Sequence, residues 1–297
     1  MNRLDYQYGH VPNPESFRIQ ASAISQFFDH TNSFYREKLL NEQGFQGNTS
    51  SVLGTSLHWA AEQYITHGSI SPADKQEMYD YITEQATMLP ELVDETEIRT
   101  QLTPMWQTLK QYIYDNPISL AEPFIELELM PNLTVGGSID AIRCIDGSLG
   151  YQSISELTGK TVELIDWKTT AAMNPPTSMP KGYEWQLLVY SYVLKQKYNI
   201  TVSQITNVYI TRHNVNRISE TTGKPLKDYP STIGTVSKPV TPESLDFIES
   251  IIKVVADSVY TFVTQPNLRY LLAMDWRLRH NTQVLPFKFG VTQHEEI

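Results

Sequence analysis

Between Val162 and Thr211 the chain reads as a strand, a proline-broken loop, a helix and a second strand, and no other stretch constrains the fold as much. Val162 to Ile165 is an apolar, strand-like run that closes on Asp166-Trp167-Lys168. Residues 171–182 hold three prolines and must form a loop. Gly182 to Tyr198 spreads Trp185, Leu188, Val189, Tyr192 and Val193 over an apolar stripe, a strong helical pattern. Val202 to Thr211 returns to a strand pattern. This order describes a small mixed sheet with one crossover helix.

The first third reads helical. Apolar residues at Ile24, Phe27, Phe28, Phe34, Leu39 and Leu40 predict a helix over 23–40 that ends at Asn41. Ser51 is read as the cap of a helix running to about Thr66, with Gly68 behind it. Two more helices are predicted over 73–88 and 91–114. The pattern changes at Pro123, where Ile125, Leu127 and Leu129 alternate with Glu126 and Glu128 as a half-buried strand. Leu133 to Cys144 reads as its hairpin partner, turning through Pro131-Asn132. A Gly/Ser-rich connection covers 146–161, and a polar excursion over 212–240 reads as an exposed insertion. Thr241-Pro242 opens a last long helix. The expected architecture is α/β, with a helical region over 1–118 and a core over 119–297 forming one compact domain.

Composition narrows the class. The 297 residues are 40% hydrophobic and 19% charged, as in an ordinary globular protein. No apolar run approaches a membrane span, and the N-terminus lacks the apolar core of a signal peptide, so a cytoplasmic location is expected. The single cysteine, Cys144, excludes an intramolecular disulfide and any four-cysteine metal or iron–sulfur site. The net charge of −10 argues mildly against a protein that coats nucleic acid. The charge is uneven, however: residues 161–240 hold nine Lys/Arg against five Asp/Glu.

The candidate chemistry lies in that basic stretch and just before it. Asp140 and Asp166, at the ends of adjacent strands, can converge on one hard cation, and Mg²⁺ needs only two or three protein ligands. The Trp167 carbonyl could add a backbone ligand. Lys168 shares a strand face with Asp166, where its ammonium could orient a water and stabilise phosphorane charge. Gln186 and Tyr190, four apart, share one helix face. His58 would bias a metal site toward Mn²⁺ as well as Mg²⁺. Glu62 lies on the same helix face as His58, but Glu62, Glu126 and Glu128 are weaker candidates. Each element alone is better read as an ordinary polar surface. Together, His, Asp, Asp-x-Lys and Gln-x-x-x-Tyr suit holding a divalent metal and a water against a phosphodiester. No P-loop, Gly-x-Ser-x-Gly or His-Glu-x-x-His is present.

From about Ser22 to Phe262 the chain resembles the RecB-like branch of the PD-(D/E)XK nuclease superfamily. Gly54-Thr55-Ser56-Leu57-His58 resembles its Gly-Thr-x-x-His motif, and Gly137-Ser138-Ile139-Asp140 its Gly-x-x-Asp motif. Leu164 to Thr170 resembles the strand with the second acid and the lysine, and Gln186 to Tyr190 the closing Gln-x-x-x-Tyr. Many relatives carry cysteines for an iron–sulfur cluster; here Thr31-Asn32 stands in the first place, and Gln265 to Arg277 has no cysteine. The resemblance implies a restriction-endonuclease-like core and a Mg²⁺- or Mn²⁺-dependent DNA nuclease without that cluster. It implies His58, Asp140, Asp166 and the Trp167 carbonyl as ligands, with Asp140, Asp166, Lys168, Gln186 and Tyr190 as the catalytic set. An exonuclease of recombination, repair or phage DNA processing is the first expectation, in a bacterial or phage-infected cell. A helicase, single-strand-binding or recombination protein is an expected kind of partner. A single-strand or structure-specific endonuclease and a non-catalytic DNA-binding subunit stay open. Arg212, His213, Arg217, Lys224 and Lys227 are candidates for DNA backbone contacts, on local charge alone.

Overall fold

The computed structural model describes residues 17–39, 47–219 and 221–265. Among the described residues eight strands form two sheets. The smaller orders β1 (Phe17–Gln20), β4 (Leu133–Ser138) and β3 (Phe124–Met130), with β1 parallel to β4 and β3 antiparallel to it. The larger orders β2 (Leu120–Ala121), β5 (Ala141–Cys144), β6 (Thr161–Thr170), β7 (Thr201–Thr211) and β8 (Ile233–Pro239). Helices α1 (Ile24–Asp29), α2 (Thr31–Phe34), α3 (Thr49–His67), α4 (Pro72–Met88) and α5 (Glu95–Asp115) come early. Helix α6 (Lys181–Tyr198) joins β6 to β7, and α7 (Pro242–Thr264) follows β8. The α6 connection makes β6 and β7 parallel, as a helical crossover requires.

The large sheet is covered on both faces. Val162 and Leu164 of β6 pack with α6, α7 and the small sheet, whereas Ile165 and Trp167 pack with α3, α4 and α5. Strand periodicity enforces this split, because successive side chains leave opposite faces. A strand buried on both sides must read as a continuous apolar run, which is why Val162 to Ile165 shows no alternation.

Four sequence expectations are corrected. The helix predicted over 23–40 breaks at His30 (φ −147°, ψ 62°) and continues as α2 and a π turn over Tyr35–Leu39. The break brings Phe27 edge-on to Phe34 and Tyr35, and Tyr35 stacks on Phe262 of α7. Ser51 is not the cap of α3; Asn48 is, and Ser51 closes the capping box from three residues on. The segment over 133–144 is not one hairpin strand. It leaves the small sheet after Ser138 and enters the large one at Ala141, so Asp140 lies at the transfer point. The excursion over 212–240 is not wholly an insertion, because Ile233–Pro239 pairs antiparallel with β7 as an edge strand.

Gly136 is required where β3 and β4 meet. A Cβ there would lie 2.1 Å from the Ile125 carbonyl oxygen and 2.7 Å from the Glu126 Cα. Backbone cannot retreat from such a contact without parting the strands. Gly136→Ala should therefore destabilise the protein by about 2–3 kcal/mol, read as a lower urea midpoint.

Candidate metal centre

Strand β5 covers the edge of β6 only as far as Ala141 opposite Ile165. The next peptide groups on that edge belong to Trp167, whose side chain is buried. Unpaired peptide groups are costly inside a protein. Here side chains replace the missing strand. Asp140 Oδ2 accepts the Trp167 N–H at 2.7 Å, and the Trp167 carbonyl oxygen lies 2.9 Å from His58 Nε2. His58 Nδ1 lies 3.5 Å from the same Asp140 oxygen.

A third group completes the cluster. Glu122 sits between β2 and β3 with φ at +47°, and its N–H donates to the Asp140 carbonyl at 3.2 Å. A left-handed backbone on a non-glycine residue is strained and is retained where surroundings enforce it. Ligand atoms of His58, Glu122 and Asp140 lie within 4.8 Å of one another. Donors on opposite sides of a Mg²⁺ or Mn²⁺ ion stand about 4.2 Å apart, so the three fit one such ion with small adjustments.

Asp166 is buried beside them on β6. Lys168 Nζ donates to its Oδ1 at 2.7 Å, and Asn207 Nδ2 donates to its Oδ2 at 2.6 Å. Each carboxylate oxygen keeps a second lone pair. Lys168 Nζ also lies 4.7 Å from the centre of the Tyr183 ring, in the first turn of α6. Tyr190, one helix face further along, reaches Gly137. A Cβ at Gly137 would meet the Tyr190 hydroxyl at 2.9 Å, so the glycine leaves room for it. Gln186 stands one helical turn before Tyr190 on α6.

The electrostatics follow from crowding acids around His58 and Lys168. Burial pulls the His58 pKa down, but the charge and hydrogen bond of Asp140 outweigh it and hold the imidazole at about 9. Burial raises the Asp140 carboxyl, yet His58 and Lys168 keep it below its ordinary value. Burial, with the Asp140 charge, pushes Glu122 up to about 8. Burial raises Asp166 to about 6 despite Lys168. Burial opposes the Lys168 charge, but Asp166 and Asp140 keep its ammonium above the ordinary lysine range. Burial raises Tyr190 to about 12, so its hydroxyl stays protonated.

The sequence-predicted residues His58, Asp140, Asp166, Lys168 and Tyr190 thus come together at one place, with Gln186 one turn before Tyr190 on α6. The Trp167 carbonyl reaches it too, held against His58. Glu126 and Glu128 lie on β3 in the small sheet, and neither they nor Glu62 joins the convergent set. Glu122 went unrecognised; its one signal is an acid just before Pro123, where the strand pattern begins. Arg212 is tied to Glu97 and Ser50, and the His213 backbone to Gln101, so both fasten β7 to α5 and α3. Arg217 is half-buried, and Lys224 and Lys227 are exposed.

Carboxylates, an imidazole and a lysine thus converge at the open edge of a buried strand, a donor set that could hold a divalent cation. Comparison with known proteins gives the family. A family model of the PD-(D/E)XK nuclease superfamily matches residues 21–259, and the chain belongs to that superfamily. No curated protein matches. Among solved structures, a candidate exonuclease from Eubacterium rectale shares the fold, with a TM-score of 0.50 at 11% identity, covering 90% of this chain and 88% of that one. A phage-related exonuclease from Haemophilus somnus 129PT matches with a TM-score of 0.34 at 10% identity, over 86% of this chain and 97% of that one. An alkaline exonuclease from Laribacter hongkongensis matches with a TM-score of 0.30 at 11% identity, over 80% and 100%. Among the described residues no helix is long and apolar enough to cross a membrane.

A divalent ion must displace the protons that His58 and Glu122 hold at neutral pH. Because both pKa values are raised, to about 9 and about 8, affinity should increase as pH rises from 6.5 to 9 and then level off. Calorimetric Mn²⁺ titrations in buffers of different ionisation enthalpy should show proton release at pH 7 that shrinks toward pH 9.

Proposed function

We propose that this protein is a Mg²⁺- or Mn²⁺-dependent deoxyribonuclease that digests DNA from its ends. One observation carries the reading: the His58, Glu122 and Asp140 ligand atoms converge beside the partly buried Asp166–Lys168 ion pair. That donor set is hard, with one imidazole, and suits Mg²⁺ and Mn²⁺. A divalent cation bound there supplies Lewis acidity toward a phosphodiester and acidifies an attacking water.

The chain's own residues do the rest. His58, Glu122 and Asp140 hold the ion, with Asp166 able to add a lone pair. Lys168 enters as an ammonium, because the acids around it hold its proton. It therefore serves as a fixed positive charge for the phosphate and as a donor that orients the water. Asp166 aims that ammonium. Tyr190, kept protonated by burial, can donate to a phosphate oxygen. Arg217, Lys224 and Lys227, in the segment after β7, are candidates for contacts to the DNA backbone on local charge. Digestion from ends is supported by the fold shared with the Eubacterium rectale candidate exonuclease.

Matched linear and covalently closed circular DNA, single- and double-stranded, tests the reading with Mg²⁺, Mn²⁺ or EDTA. Linear DNA should disappear with either metal, and circles should survive. Cutting of circles would replace the exonuclease with an endonuclease, and no cleavage of any substrate would leave a DNA-binding role. Lys168→Ala should lower cleavage by roughly a thousandfold or more, while circular dichroism and DNA binding stay near wild type. Wild-type rates in that variant would remove Lys168 from the mechanism.

A further inference from the structure

Asn207 lies on β7 directly across from Asp166 in the parallel register with β6. Its side chain is completely buried. Its Nδ2 donates to Asp166 Oδ2 at 2.6 Å, while its Oδ1 has no hydrogen-bond partner among the described residues. A buried amide oxygen without a partner lowers stability, and Ile205, Val208 and Ile210 show that apolar side chains suit this strand. Asparagine here is a costly choice for packing. Turning the amide round would set its carbonyl oxygen against a carboxylate oxygen, so only the donating orientation is stable.

The same pair of strands builds a second carboxylate clamp nearby. Glu163 on β6 accepts from Gln204 at 3.0 Å and Thr206 at 2.5 Å on β7, and from Arg143 on β5. That clamp leaves no polar atom of its members orphaned, and it lies away from the convergent ligand atoms. At Asp166 the grip differs. Lys168 takes one oxygen and Asn207 the other, which fixes the plane of the carboxylate from two sides. Each oxygen is left with one free lone pair.

We propose that Asn207 is a positioning residue of the metal centre. By holding Asp166 Oδ2 from the neighbouring strand, it aims the free lone pairs of Asp166 toward the ion that His58, Glu122 and Asp140 hold. Without the amide, the Asp166 carboxylate turns to follow the Lys168 ammonium and both lose their set. The inference rests on the metal-dependent nuclease reading above.

The test compares full-length wild type, Asn207→Leu, Asn207→Ser and Thr206→Val. Mn²⁺ binding is measured by calorimetry and by electron paramagnetic resonance without DNA. The kcat and KM on linear DNA are measured at saturating Mn²⁺. Asn207→Leu keeps the branched shape and removes the donor. It should weaken Mn²⁺ binding roughly ten- to a hundredfold, as loss of a partner behind a ligand does. It should lower kcat while KM for DNA stays within about twofold. Asn207→Ser retains a donor and should recover part of both losses. Thr206→Val removes the hydroxyl that joins the Glu163 clamp to Ser237, away from the metal centre, so it should lower the melting temperature and leave Mn²⁺ affinity and kcat unchanged. Wild-type Mn²⁺ affinity and kcat in Asn207→Leu would overturn the inference and leave the nuclease reading standing. If Asn207→Leu does not fold, Asn207→Ser decides: reduced Mn²⁺ affinity supports the role, and wild-type affinity overturns it. A wild-type protein that neither binds Mn²⁺ nor cuts DNA would overturn the nuclease reading and this inference with it.

Discussion

The unfinished edge of β6 at Trp167 is the constraint on which the site depends. A longer β5 would pair the Trp167 peptide groups with backbone and leave no work for side chains. Because β5 begins at Ala141, the Asp140 carboxylate and the His58 imidazole complete the ladder instead. The side chains that finish the sheet are thus also ones that could take a cation, His58 through its other ring nitrogen. This dual duty would leave the candidate ligands ready in the folded protein. Their positions are set by satisfying buried peptide groups, which the fold demands with or without an ion.

The two-residue period of β6 makes the site a junction between two cores. Asp166 and Lys168 point with Leu164 toward α6, where the Tyr183 ring underlies the lysine and Tyr190 closes on Gly137. Trp167 points the other way, into the core of α3, α4 and α5, and its carbonyl meets His58 of α3. Neither layer alone contains the full set. Arg212, pinned to Glu97 and Ser50, then ties the end of β7 to the helical layer, so the two cores keep a fixed relation near the centre.

Much of this was legible in the sequence, for physical reasons. Buried central strands and amphipathic helices carry strong local patterns, so β6, β7, α6 and α7 could be read from Val162, Trp185 or Ile248 and their neighbours. The acids and lysine stood out because charges at the end of an apolar run need an explanation. Edge elements were not legible. In β8 only Ile233 and Val236 interrupt small and polar residues, and what makes it a strand is pairing with β7, a long-range fact. The change of sheet around Asp140 was hidden because both halves read as strand. Glu122 and Asn207 escaped notice because a lone Glu or Asn carries no pattern. Glu122 gains meaning from a left-handed turn facing Asp140, and Asn207 from a register between strands that a helix separates.

The centre draws its groups from four distant segments, around residues 58, 122, 140 and 166 to 168, and closes with α6 and β7 behind them. No contiguous fragment carries it. A growing polypeptide on the ribosome therefore has all its acids and its lysine long before it has a working centre, since β7 must still emerge to support Asp166. In a nuclease, a centre that forms late makes activity the last property acquired in synthesis. The order of segments in this chain ties the onset of hydrolysis to the completion of the sheet.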